Sequence, residues 1–210
     1  MNLLFSYGPQ TDNAYAEAGH KFLGVGEDKL GVEVHVFLKK DERFAPQFDT
    51  RKNVIFLDID GVLNFVDMPE DEDMEHPLKY GKVNKKCVQT FLEFLEDIDG
   101  HIVISSTWRK DSLAKVTMKE VMEYFGVPAE RYLGETPNLA GSVGSYRGNE
   151  IELWLRNNKD IVKTFLILDD DSDMLMWQAD HYVHVNRHTG FDRLTAHIAK
   201  RVVQGTRYVR

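Results

Sequence analysis

Apolar positions along the chain form two kinds of pattern. Val54-Ile55-Phe56-Leu57, His101 to Ser105 and Thr164 to Leu168 are nearly continuous apolar runs, which read as strands covered on both faces. Arg131 to Gly134 and Tyr182 to Val185 read as weaker strands. Between them the spacing changes to the helical period. Asn84 is placed to cap a helix with Val88, Phe91, Leu92 and Leu95 on one face, closed by Gly100. Thr117 and Glu120 have capping-box spacing ahead of Val121, Met122, Tyr124 and Phe125, and Gly126 and Pro128 end that segment. Asn149, with Glu152 three residues on, begins a helix carrying Ile151, Trp154 and Leu155. Asp192 caps a last one carrying Leu194, Ile198 and Val202.

Strands alternating with helices predict an α/β fold with a mainly parallel sheet flanked by helices. The first fifty residues follow no such rhythm. Leu3 to Ser6 and Val32 to Leu38 read as strands, and the Gly-containing polar stretch between them has no assigned role. Residues 1–52 are read as an N-terminal extension packed on the main domain, residues 53–210 as the α/β domain, and Gln47 to Lys52 as the junction.

Composition narrows the partners. The chain has 210 residues, 42% of them hydrophobic, and a formal charge of −8 from 26 basic and 34 acidic side chains. That balance opposes a general attraction to nucleic-acid backbones or anionic membranes, while leaving room for a locally basic pocket. No apolar run approaches a membrane span. Cys87 is the single cysteine, so no intrachain disulfide forms. With no signal-like start, a reducing, cytoplasmic setting without disulfide-linked partners is expected. Cys87 is read as a packing residue, and His181, His184 and His188 as surface or strand residues. Nothing in the pattern specifies an oligomeric state.

In a parallel sheet, ligands gather beyond the carboxyl ends of the strands. Three polar clusters follow residues 57, 104 and 168, and the fold brings them to one edge. Asp58-Ile59-Asp60-Gly61 ends the first strand. Asp58 is placed to attack phosphorus and form an aspartyl-phosphate. Asp60 is placed to protonate the leaving alcohol and later to take a proton from water. Asp169 and Asp170 end another apolar strand, and together with Asp58 and Asp60 they form a repulsive carboxylate set that Mg²⁺ resolves. Asp173 is read as holding a metal-bound water and Asp171 as facing solvent. In Ser105-Ser106-Thr107-Trp108-Arg109, Ser105 and Ser106 offer hydrogen bonds to a phosphoryl group and Arg109 a charge-assisted contact. Trp108 is read as a core or pocket-wall residue.

These motifs resemble those of the haloacid-dehalogenase-like (HAD) phosphohydrolase superfamily. Phe56-Leu57-Asp58-Ile59-Asp60-Gly61-Val62-Leu63-Asn64 is similar to its first motif, Ser105 to its second and Ile167-Leu168-Asp169-Asp170 to its fourth, over roughly residues 53–203. The resemblance implies a Rossmannoid HAD-like fold, a nucleophile at Asp58, an acid/base at Asp60 and Mg²⁺ as cofactor. The family's third motif supplies a lysine. Here Arg147, in Tyr146-Arg147-Gly148-Asn149-Glu150-Ile151, is the expected replacement, contributing to both catalysis and phosphate binding, with Lys163 as the alternative. The Ser-Ser-Thr-Trp-Arg and Arg-Gly-Asn-Glu-Ile stretches resemble the HAD domains of RNA-repair proteins and, more distantly, polynucleotide kinase-phosphatases. That implies a nucleotide or a phosphorylated nucleic-acid end as substrate, with a small-metabolite phosphatase, or a binding protein on the same scaffold, as alternatives. Fewer than twenty residues separate Asn64 from the Asn84 helix, so only a minimal cap, a flap at about 65–82, is expected.

Overall fold

A computed structural model of the chain describes residues 3–38, 50–66, 83–124, 126–139 and 146–205. The expected flap at 65–82 and the side chains of Thr117, Val121 and Phe125 lie outside the described part, Phe65 and Val66 excepted. The chain divides into two compact units, Met1–Asp49 and Thr50–Arg210.

The first unit contains β1 (Leu3–Ser6), α1 (Pro9–Glu17), β2 (Lys21–Glu27) and β3 (Glu33–Leu38), with the strands antiparallel in the order β1-β3-β2. Asp28 closes the β2–β3 hairpin, its Oδ1 accepting from the N–H groups of Leu30 and Val32. The stretch left unassigned from sequence is therefore a helix and a strand. Every residue of β2 except the half-buried Gly24 is exposed, so the strand lacks the in–out alternation of a half-buried one.

The second unit runs β4 (Lys52–Leu57), α2 (Lys85–Asp97), β5 (Gly100–Ile104), α3 (Ser112–Tyr124), β6 (Tyr132–Glu135), α4 (Arg147–Asn157), β7 (Val162–Asp169), β8 (Tyr182–His184) and α5 (Arg193–Gly205). Its five strands are all parallel, in the order β6-β5-β4-β7-β8. β4 is central, which explains its unbroken apolar run. Ile55 and Leu57 face one core with Val88, Phe91 and Leu95 of α2 and Ala199 and Val203 of α5. Val54 and Phe56 face the other, with Ile151, Trp154 and Leu155 of α4. Each such fully buried side chain contributes about 1.5–3 kcal/mol of transfer free energy.

Helix ends depart from the sequence reading in instructive ways. Asn84 does cap α2, accepting from the N–H groups of Lys86 and Cys87. The left-handed residue after α2 is Asp99, at φ 49°, while Gly100 starts β5 and lets Leu95 approach to 2.7 Å of where a Cβ would stand. α3 begins at Ser112, not near Thr117, because Asp111 accepts from the N–H groups of Leu113 and Ala114. Tyr124 is exposed rather than part of the apolar side. α5 buries Thr195, Ala199 and Val203 and leaves Leu194 and Ile198 outside.

Candidate active site

The carboxyl ends of β4, β5 and β7 meet at one edge, as parallel pairing in register requires. At the end of β4 the Asp58 N–H still donates to Leu168 O, at 3.0 Å, so Asp58 continues the ladder and its side chain is buried. The chain then turns. Gly61 sits at φ 74°, and a Cβ there would come within 2.4 Å of Asp170 Cγ, so the position admits no side chain. The turn separates the two aspartates. Asp60 is an exposed residue whose Oδ1 accepts from Asn64 Nδ2 at 2.9 Å and whose Oδ2 accepts from Trp108 Nε1 at 2.9 Å. Asn64 is fixed in turn by accepting the Gly61 N–H at 2.8 Å.

The β7 end supplies the crowded part. Oxygens of Asp58, Asp169 and Asp170 lie within 4.8 Å of one another. The Asp60 side chain, expected as a fourth carboxylate of the metal set, stands outside this group, with its oxygens directed to Asn64 and Trp108. Burial, and then the neighbouring Asp58, push the Asp169 carboxyl up to about 8. The same two causes raise Asp170, against which Arg187 sits at 2.9 Å. Asp169 Oδ1 accepts the Asp171 N–H, while buried Oδ2 makes no hydrogen bond and only an ion-pair contact with Arg147. Asp171 is exposed, as expected, and pairs with Arg187.

Arg147 enters this cluster from the first residue of α4. Its Nη1 is 3.2 Å from Asp58 Oδ1 and its Nε 3.2 Å from Asp169 Oδ2, and Nη1 also donates to Ser105 O. Burial works against the charge, but Asp58 and Asp169 outweigh it and hold the guanidinium more firmly protonated than usual. The helix starts here because Asp173, expected to hold a metal-bound water, accepts the Arg147 N–H on Oδ2 at 2.9 Å and so caps α4. Asn149, read as the helix start, lies inside the first turn. Gly148 permits the fit: a Cβ would meet Leu175 N at 2.5 Å, and Gln178 ties the same turn by donating to Gly148 O. Lys163 lies near the start of β7, six residues from Asp169 and about 20 Å away along an extended strand. It does not reach the cluster.

The loop after β5 divides its polar groups between two jobs. Ser105 is fully buried and its Oγ has no hydrogen-bond partner. Ser106 caps a short 3₁₀ turn at Thr107–Lys110, its Oγ accepting the Trp108 N–H. Arg109 is buried with all three guanidinium nitrogens engaged: Nε on Thr136 O, Nη1 on Ser105 O and Ser106 O, Nη2 on Glu150. Burial pulls its pKa down and Glu150 opposes the shift. Ser106 and Arg109, read from sequence as phosphate contacts, both brace the loop, Ser106 by accepting the Trp108 N–H and Arg109 through all three guanidinium nitrogens. Glu150 escaped the sequence reading, although it stands three residues after Arg147, on the same side of a helix.

A family model for the HAD domain in Swiss Army Knife RNA repair proteins matches residues 54–196. The chain belongs to this family. The matched stretch of the HAD domain begins in β4, ends in the first turn of α5 and includes all three loops of the site. No curated protein and no solved structure matched the chain. The HAD cluster suits a hard divalent cation: its donors are carboxylate oxygens, they converge, and buried Asp169 Oδ2 lacks a hydrogen bond. Among the described residues of this HAD protein, no helix is long and apolar enough to cross a membrane.

Proposed function

We propose that the protein hydrolyses phosphate monoesters, with Mg²⁺ held by Asp58, Asp169 and Asp170, and that its substrate is a nucleotide or a phosphorylated nucleic-acid end. The observation that carries the reading is the convergence of those three carboxylates beside Arg147, with a separately held Asp60 and an unpartnered Ser105 hydroxyl at the same sheet edge.

An Asp58 oxygen attacks phosphorus, a P–O bond to Asp58 forms, and the ester P–O bond breaks. The leaving oxygen keeps the electron pair and takes the proton of the Asp60 carboxyl. In the second half Asp60, now a carboxylate, removes a proton from water as its oxygen attacks phosphorus. The bond to Asp58 breaks, and inorganic phosphate and a free Asp58 carboxylate result. Ser105 Oγ donates to a phosphoryl oxygen, and Arg147 balances negative charge while its contact with Ser105 O keeps the β5 loop and α4 in step. Asp58, Asp169 and Asp170 would hold Mg²⁺, which when bound would supply further neutralisation of negative charge. A nucleotide or strand-end substrate is supported by the RNA-repair association of the family.

The test is a phosphate-release screen with and without Mg²⁺. It covers nucleoside 2′-, 3′- and 5′-phosphates, RNA and DNA with either terminal phosphate, and sugar phosphates. Metal-dependent release from nucleotides or strand ends, abolished in Asp58→Asn, is the expected result. A metal-replete protein inactive on the whole panel overturns the reading, and preference for sugar phosphates overturns the substrate class.

A further inference from the structure

We propose that Trp108 is a positioning residue that aims the Asp60 carboxyl at the leaving-group oxygen, an inference that rests on the phosphatase reading above. Asp60 stands on an exposed turn, where an aspartate side chain has several accessible rotamers. The Trp108 indole, 3% exposed, donates from Nε1 to Asp60 Oδ2 at 2.9 Å, while Asn64 holds Oδ1. Two donors on different oxygens select one orientation of the carboxyl plane. Indole N–H is a donor only, so it orients the acid without competing for the proton in transfer.

The indole is itself aimed. Its backbone N–H is held by Ser106 Oγ, and the next residue, Arg109, ties the same turn to Ser105 O, Ser106 O and Thr136 O and pairs with Glu150. A cavity of about 150 Å³, lined by Trp108 together with Ile104, Met122, Val127 and Tyr132, lies beside the ring. The ring is buried in the core but borders this space on one side, and the turn and the bond to Asp60 add to packing in setting its direction.

As the ester P–O bond breaks, an alkoxide leaving group needs the Asp60 proton, whereas p-nitrophenolate departs without one. A misdirected Asp60 must then slow alkyl esters selectively. Trp108→Phe removes the N–H and keeps a ring. With p-nitrophenyl phosphate and glycerol 2-phosphate as probes, kcat/KM, which reports the steps up to leaving-group departure and not the shared second half, should fall less than about threefold on the first and about thirtyfold on the second. Asp60→Asn should show the same bias, enlarged. Equal losses on both esters, or none on either, overturn the proposal. A spectroscopic reading stands apart from turnover. The chain has three tryptophans, so the indole N–H signal that vanishes in Trp108→Phe is identifiable in ¹⁵N-labelled full-length protein. It should move when Asp60 becomes Asn, and an unmoved signal overturns the contact. A metal-replete wild-type protein that hydrolyses neither these esters nor any nucleotide, strand end or sugar phosphate overturns the phosphatase reading and with it the acid/base role, while the indole signal still decides whether Trp108 holds Asp60.

Discussion

The two sides of the site are built on opposite principles. Around Asp60, hydrogen bonding is well supplied: Asn64 and Trp108 hold its two oxygens, Ser106 caps the turn that carries Trp108, and Arg109 and Glu150 close a buried ion pair behind it. Around Asp58, Asp169 and Asp170, charge is in excess. Arg147 is shared between two carboxylates, Asp169 Oδ2 has no hydrogen bond, and Asp169 is driven toward its protonated form. A side whose hydrogen bonds are complete before substrate arrives suits the proton transfer proposed for Asp60. A side crowded with like charges suits a cation. Stability and activity should therefore respond in opposite senses when the two are altered.

The largest effect should come from Asp58→Asn, which should lower turnover by about four orders of magnitude or more. Because it removes one of the crowded charges, the metal-free variant should melt no lower than wild type. A clear drop in its melting temperature would contradict the description of this side as strained.

On the complete side the order reverses. Glu150→Ala strands the buried Arg109 and should cost about 3–5 kcal/mol in urea denaturation. A variant as stable as wild type would mean that the ion pair does not hold the loop.

Metal and pH should act on the crowded side alone. At a hundredfold excess over its dissociation constant, Mg²⁺ should stabilise wild type by about 2.7 kcal/mol, and this gain should vanish in Asp169→Asn. In chelator the sign follows from proton counting. The Asp169 carboxyl has an ordinary pKa of 3.8 and a folded value near 8, so between these pH values the folded chain holds a proton that the unfolded chain has released. Stability from this group is full below 3.8 and is lost as pH rises through about 8. Asp169→Asn should flatten that slope, and thermal melts across the window would expose an unchanged one. The smallest effect is Ser106→Ala, which removes the cap of the Trp108 turn and should cost about 1 kcal/mol.

The parts of this molecule that were legible in the sequence are those whose cause is local. Val54 to Leu57 announces a central strand because both faces are buried, and Asn84 announces α2 because its cap partners are two and three residues away. The aspartates and Ser105 stood out because polar residues end apolar runs. What escaped has distant causes. The cap of α4 comes from Asp173, 26 residues beyond Arg147, so Asn149 looked like the better start. Arg109 looked available for phosphate because Glu150, which claims it, lies 41 residues on. Leu194 and Ile198 suggested a buried stripe on α5, yet the sheet receives Ala199 and Val203, whose smaller side chains pack beside Phe91 and Phe191 in the same core.

Gly61 shows how tightly the two loops are interlocked. The space a methyl group would need there is already taken by Asp170, a residue that arrives from another strand more than a hundred positions later. Neither loop can be transplanted alone onto a foreign scaffold: the first would lack its neighbour, and the second would collide with any ordinary residue. The smallest transferable unit of this arrangement is the pair of loops.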